Sequence, residues 1–233
     1  WSVMAGWLIM GIVNFWNIPP HMGMDVEGHL QYIQSVAESW RIPLANEGWQ
    51  MFQPPLYYLI AGSTYRLFLG MCDAETVVRI VKLASLLCGM AQVEIVYRTI
   101  RCAFPKRPAL QIAGTLFGGL LPMNLYMSQS LGNEPLAGVM TALIIMIACR
   151  IFAGSMETSR ETTALIGFIL GLALLTKVTA ILVIPPLLVF LAREAAGHGD
   201  AFWKSLRKFL RHAVVVIVVA LIVSGWYYLR NRM

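Results

Sequence analysis

The stretch "PPLYYLIAGSTYRLFLG", residues 54–70, decides the fold, because its placement fixes the side on which every later loop falls. It is apolar enough to suggest a membrane crossing. Arg66 interrupts it, however, and a crossing helix needs about 20 consecutive apolar residues. Charge settles the choice. The loop "RTIRCAFPKRP", residues 98–108, carries Arg98, Arg101, Lys106 and Arg107 and no acid. Residues 193–211 carry Arg193, Lys204, Arg207, Lys208 and Arg211 against Glu194 and Asp200. Loops rich in lysine and arginine stay cytoplasmic. If 54–70 does not cross, both basic segments fall on one side together with Arg150 and Arg160, opposite the acidic residues Asp25, Glu27, Glu38 and Glu47; if it crosses, that opposition survives only by breaking another assignment. The stretch therefore reads as an interfacial helix lying on the outer face.

Composition supports a membrane setting. Hydrophobic residues make up 58% of the chain and charged residues 13%, with a mean hydropathy of +0.67. Soluble domains are roughly a quarter charged. The apolar runs are too continuous for barrel strands, so the spanning elements are helices. Trp1 begins inside an apolar run with no basic flank, so no cleavable signal peptide is expected and residues upstream are. The formal charge of +6 comes from residues in short loops, where they set topology; it does not mark a nucleic-acid partner. Cys72, Cys88, Cys102 and Cys149 lie far apart with no CxxC, and read as small apolar residues.

Candidate crossings are 2–18, 79–97, 109–127, 134–152, 163–177, 178–192 and 212–229. The fifth and sixth are short and meet at Lys177, as one broken hairpin could. Residues 19–78 then form one external excursion, with Asp25, Glu27, Glu38, Glu47, Asp73 and Glu75 against only Arg41 and Arg66. Within it, Leu30, Ile33, Val36, Ala37 and Trp40 recur at helical spacing, which predicts an amphipathic helix along the membrane surface. The expectation is an all-α integral membrane protein of about seven transmembrane helices, with amphipathic juxtamembrane helices in the first external loop. No repeat or linker divides residues 1–233.

Candidate chemistry gathers on the external side. Asp25 and Glu27 open the first loop; carboxylates there can take a proton from an acceptor hydroxyl, help hold a divalent cation, or simply start a helix. His21, Asp25 and His29 would share a face for a metal if the helix began early, and surface histidines are the plain alternative. In "QPPLYYL", Gln53 stands at a proline-led helix start that favours an anion, while Tyr57 and Tyr58 read equally as interfacial aromatics. "SQSLGNEPLAG" places Asn133 and Glu134 before Pro135, either as a helix cap or as a third acid facing Asp25 and Glu27. Lys177 either snorkels to the interface or holds a lipid phosphate. "GWYYLRNRM" reads as an interfacial anchor, and Glu94, in the second crossing, has no obvious partner.

The order of these features is specific where each alone is weak. Acids after the first crossing are followed by "QPPLYYLIAG", "VVRIVKLASLLCG", "FPKRPALQIAG", "SQSLGNEPLAG", "GLALLTKVTAI" and "GWYYLRN". Together they resemble the GT-C superfamily of membrane glycosyltransferases, and within it the group related to dolichyl-phosphate-mannose protein mannosyltransferases and the bacterial aminoarabinose transferase. The resemblance implies inverting transfer of a sugar from a polyprenyl-phosphate donor to an acceptor at the outer face of an inner or plasma membrane. It gives Asp25, with Glu27 beside it, the role of base or acceptor ligand. It sets Gln53, Tyr57 and Lys177 around the donor phosphate, and Asn133 and Glu134 in the second external loop. Metal use varies across the superfamily, so no metal is assigned and a divalent cation stays open.

Two departures stand out. Many relatives carry lysine or histidine where this chain has Gln53, and family members run well beyond seven crossings, so a further C-terminal region is expected after Met233. A shortened chain also suits a different class, a non-catalytic GT-C-like subunit of a larger membrane complex with protein partners. A transporter fits less well, because few ionisable residues, Lys82, Glu94 and Lys177, lie within the spans.

Overall fold

The computed structural model of the protein describes residues 2–196 and 201–231. Trp1 and Asp200, both used above, lie outside the described residues. Among the described residues the regular structure is helical throughout, with no strand. The first helices are α1 (Ser2–Asn17), α2 (Val26–Ser39), α3 (Leu56–Phe68), α4 (Ala74–Ala103) and α5 (Pro108–Gly119). They are followed by α6 (Pro122–Ser128), α7 (Glu134–Phe152), α8 (Arg160–Thr176), a 3-10 segment Val178–Val183, α9 (Ile184–Ala195) and α10 (Phe202–Arg230).

Four segments are long and apolar enough to cross a membrane: Ala74–Ala103, Glu134–Phe152, Val178–Ala195 and Phe202–Arg230. The 16 residues of α1 fall short of that length. The expected crossing 109–127 is not one helix. It divides into α5 and α6 at Leu121, whose backbone is extended (ψ 122°) because Pro122 follows it. The Asn124 amide donates to the Gly118 carbonyl (3.0 Å) and bridges the break. A second break follows α8. Lys177 is extended, and the next turn is 3-10 because Pro185 and Pro186 supply no N–H to a continuous helix.

The 13 residues of α3 reach only about 20 Å, too short for the roughly 30 Å hydrocarbon layer. The helix packs on α2 instead. Ile33, Val36 and Ala37 meet Tyr58, Ala61 and Tyr65, and Val77, Val78 and Val81 at the start of α4 close the cluster. Gly62 permits this approach, since a Cβ there would stand 2.8 Å from the Val36 side chain. Arg66 ends α2 by donating to the Ala37 carbonyl (2.7 Å), where Trp40 turns the chain at φ 53°. Tyr57 and Tyr58 therefore face this interior and are not interfacial aromatics.

A second core joins α7, α8, α9 and α10 through Ile144, Ile147, Ile166, Leu170, Leu187 and Val216, among others. Its tightest contact is α8 on α10. Gly167 and Gly171, four apart on one face, let the backbones touch: a Cβ at Gly167 would sit 2.6 Å from the Val216 carbonyl oxygen. The end of α10 does more than anchor. The Tyr227 hydroxyl donates to the carbonyls of Phe52 (3.0 Å) and Gln53 (2.9 Å), and Tyr228 donates to the Leu174 carbonyl (2.7 Å). Arg230 donates to the carbonyl of Ile42 (2.7 Å). The "WYYLR" run thus fastens the loop that precedes α3.

Candidate active site

The loop between α6 and α7 is polar in sequence and buried in space. Gln129, Ser130 and Asn133, with Ser128 at the end of α6, are each at most 2% exposed. Burying such groups is costly unless they find partners, and here the Gln129 Oε1, Ser130 Oγ and Asn133 Oδ1 atoms find none among the described residues. Buried polar atoms without a protein partner make this loop a candidate functional site.

Asn133 does not cap its own helix. Its side-chain amide turns away and donates to the Thr176 carbonyl (2.6 Å), the last of α8, and to Gln53 Oε1 (3.3 Å). Its neighbour Glu134 makes an ion pair with Lys177. Two consecutive residues at the start of α7 thus bind two consecutive residues at the break after α8. Half-buried Gln53 is held through side chain and backbone: its side-chain amide donates to Gln50 Oε1 (3.3 Å), and its backbone carbonyl accepts from Tyr32 (3.4 Å) and Tyr227 (2.9 Å).

Gly132 makes room for the acid. A Cβ on it would stand 2.5 Å from Glu134 Oε2 and 3.5 Å from His29 Nε2, so carboxylate and imidazole crowd the same hydrogen. The Nδ1 atom of His29 meets the Tyr58 hydroxyl at 2.6 Å, and Tyr32 stacks on Tyr58 at 3.7 Å between ring centroids. Burial lowers the His29 pKa below 6.5; Glu134 and Asp25 pull it up and Lys177 pushes it down. Burial also raises the Tyr57 and Tyr58 phenols, so both stay neutral; Ser85 and the backbone of Gly132 lie beside the Tyr57 hydroxyl.

Asp25 stands at the edge of this group. It adopts the left-handed conformation (φ 60°, ψ 11°) immediately before α2, which costs about 1 kcal/mol outside glycine. Its carboxylate is half-buried, does not cap the helix and forms no ion pair among the described residues. The strained backbone is supported by the turn before it, where the Met24 N–H donates to the Tyr126 hydroxyl (2.7 Å) and Gly23 (φ 152°) touches Ser130.

The structure thus gathers Gln53, Tyr57, Asn133, Glu134 and Lys177, with Asp25 joined to them through His29. Glu27 is exposed in the first turn of α2 and touches none of them. The trio His21, Asp25 and His29 is not assembled, because α2 begins at Val26 and leaves His21 exposed outside it. Among the described residues no three His, Cys, Asp or Glu side chains converge as metal ligands. Sequence reasoning assigned no role to Thr176 and read Tyr58 and Tyr227 as interfacial aromatics. The spacing of four from Asp25 to His29 and the polar run 128–133 in an apolar chain were the available signals.

The dolichyl-phosphate-mannose-protein mannosyltransferase family matches residues 52–228, which is most of the chain and includes every gathered residue except Asp25 and His29. The chain belongs to this mannosyltransferase family. No curated protein and no solved structure matches the chain. The mannosyltransferase match begins one residue before Gln53 and ends at Tyr228, spanning the loop–α10 fastening described above. A membrane glycosyltransferase of the GT-C type follows from that membership and from the four apolar helices.

Proposed function

We propose that the chain transfers a sugar, with inversion, from a polyprenyl-phosphate donor to an acceptor at the outer face of an inner or plasma membrane. In this reading α1, α4, the broken α5–α6 pair, α7, α8, the Val178–Ala195 segment and α10 make seven passes within a single module. The α2–α3 pair then lies on the external side with the carboxylates.

The observation that carries the proposal is the paired hold of Asn133 and Glu134 on Thr176 and Lys177, with His29 and Asp25 alongside. Asp25, whose carboxylate forms no ion pair among the described residues, removes the proton from the acceptor hydroxyl as that oxygen attacks the anomeric carbon. The bond from that carbon to the prenyl phosphate breaks, and the phosphate leaves with the negative charge. Lys177 has three N–H donors; Glu134 engages one and orients the ammonium, leaving two for phosphate oxygens. Asn133 and Glu134 are positioning residues, and Gln53, pinned between Gln50 and Asn133, helps hold Asn133 in place. Glu27, exposed beside the site, is proposed to meet the acceptor and not the reacting atoms.

The test is turnover of a polyprenyl-phosphate-linked mannose by membranes carrying the full-length protein. Release of free polyprenyl phosphate and a product of opposite anomeric configuration are expected. A correctly inserted protein that leaves the donor intact supports the scaffold reading instead.

A further inference from the structure

Two adjoining cavities lie at the far end of α4 and α7 from the carboxylates, and the proposed transfer uses neither. The larger, of about 960 Å³, is lined by Glu94, Tyr97, Arg98, Arg101, Gln111 and Arg150 among others. The smaller, of about 460 Å³, has a lining that includes Ile144, Ala148, Phe152, Leu187 and Phe190, with no charged residue. Both sizes fall in the range of ligand cavities. Cys102 and Ala153 line both, so the two meet at the end of the α4–α7 seam, where the Cys102 thiol points to the Cys149 carbonyl (3.6 Å).

The charge of the larger cavity is unbalanced. Three guanidiniums face one carboxylate, and Arg98 already engages that carboxylate, Glu94, at 2.6 Å. Arg101 lies over the Tyr97 ring, 6.0 Å from its centroid, and forms no ion pair among the described residues. The Arg150 side chain has no hydrogen bond or ion pair to a described residue, and Lys106 and Arg107 follow in the loop from α4 to α5. A soluble anion would leave the apolar cavity unused. A molecule with an anionic head and an acyl chain fills both.

We propose that these cavities form one site for an anionic phospholipid, with its phosphate at Arg101 and Arg150 and an acyl chain in the apolar cavity. The site lies on the side that the basic loops mark as cytoplasmic, where anionic headgroups and basic pockets between helices meet. It depends on that topology and not on the transfer reaction. The donor lipid has its own place at the opposite end of the same helices, so occupancy here leaves that end free.

The experiment is native mass spectrometry of the purified full-length protein, titrated with phosphatidylglycerol or phosphatidylcholine of identical chains. Phosphatidylglycerol is expected to stay bound and phosphatidylcholine to dissociate. Removing both charges, R101Q with R150Q, is expected to weaken phosphatidylglycerol by about 25-fold, since each such cation contributes roughly fivefold. Ala148→Trp, which fills the apolar cavity, is expected to weaken it as well, whereas Arg207→Gln, at an exposed position of α10, leaves it unchanged. If the double variant does not purify as a single species, R150Q alone and A148W carry the comparison. Equal retention of the two lipids, an equal loss in R207Q, or displacement by polyprenyl phosphate overturns the proposal.

Discussion

At the scale of the residue, His29 and Lys177 carry the sharpest consequences. Burial holds the His29 pKa below 6.5, so the unfolded chain takes up the proton first as pH falls. Its contribution to stability is therefore complete above about pH 6.5 and declines below it. The thermal midpoint should drop between pH 7 and pH 5, and His29→Gln should flatten part of that drop. An unchanged slope in the variant would mean that other groups dominate. Lys177→Met removes the partner of a carboxylate whose second oxygen is already unsatisfied. The pair is partly exposed, so a loss of about 1–3 kcal/mol is expected, less than for a fully buried pair. Chemical denaturation measures it, and Glu134→Gln combined with Lys177→Met should recover part of the loss. The acids and Lys177 were legible in sequence because charge is rare in this chain. The role of Asn133 was not, because a side chain before a proline-led helix reads as that helix's cap, and only the fold brings the end of α8 within its reach.

At the scale of the element, the two breaks matter most. The stop after Thr176 was legible, because Lys177 interrupts two apolar half-runs. The division of α5 from α6 was also written in Pro122, yet hydropathy averaged over the run concealed it. The α8–α10 contact depends on Gly167 and Gly171, whose hydrogens face the α10 backbone. Gly167→Val should destabilise by about 1–3 kcal/mol through overpacking, measured as the shift in detergent-induced unfolding. The equivalent change at Gly6, which has open space around it, should cost less. Tyr227→Phe removes the hydroxyl shared by the Phe52 and Gln53 carbonyls. It should cost about 1 kcal/mol and raise amide hydrogen exchange across residues 50–58. Unaltered exchange there would show that α10 does not hold this loop. No local pattern foretold that contact, since 174 residues separate Tyr227 from Gln53.

At the scale of the whole molecule, charge topology and helical periodicity were enough to place the acids, the double proline and Lys177 at one end of the helices. Periodicity shows which face of a helix is apolar but not which helix covers it. The pairing of α2 with α3 and the closure by α10 therefore emerged only with the fold. The mannosyltransferase family match and the four apolar helices establish a membrane glycosyltransferase of the GT-C type; that Asp25 takes the acceptor proton is the proposal built on the gathered side chains. The most direct test compares sugar transfer by wild-type protein and Asp25→Asn in the same membranes, with insertion and expression shown to be equal. Transfer is expected to be abolished in the variant while its thermal midpoint stays unchanged or rises, because the carboxylate forms no ion pair and caps no helix among the described residues. Transfer at the wild-type rate by a correctly inserted Asp25→Asn protein would contradict it.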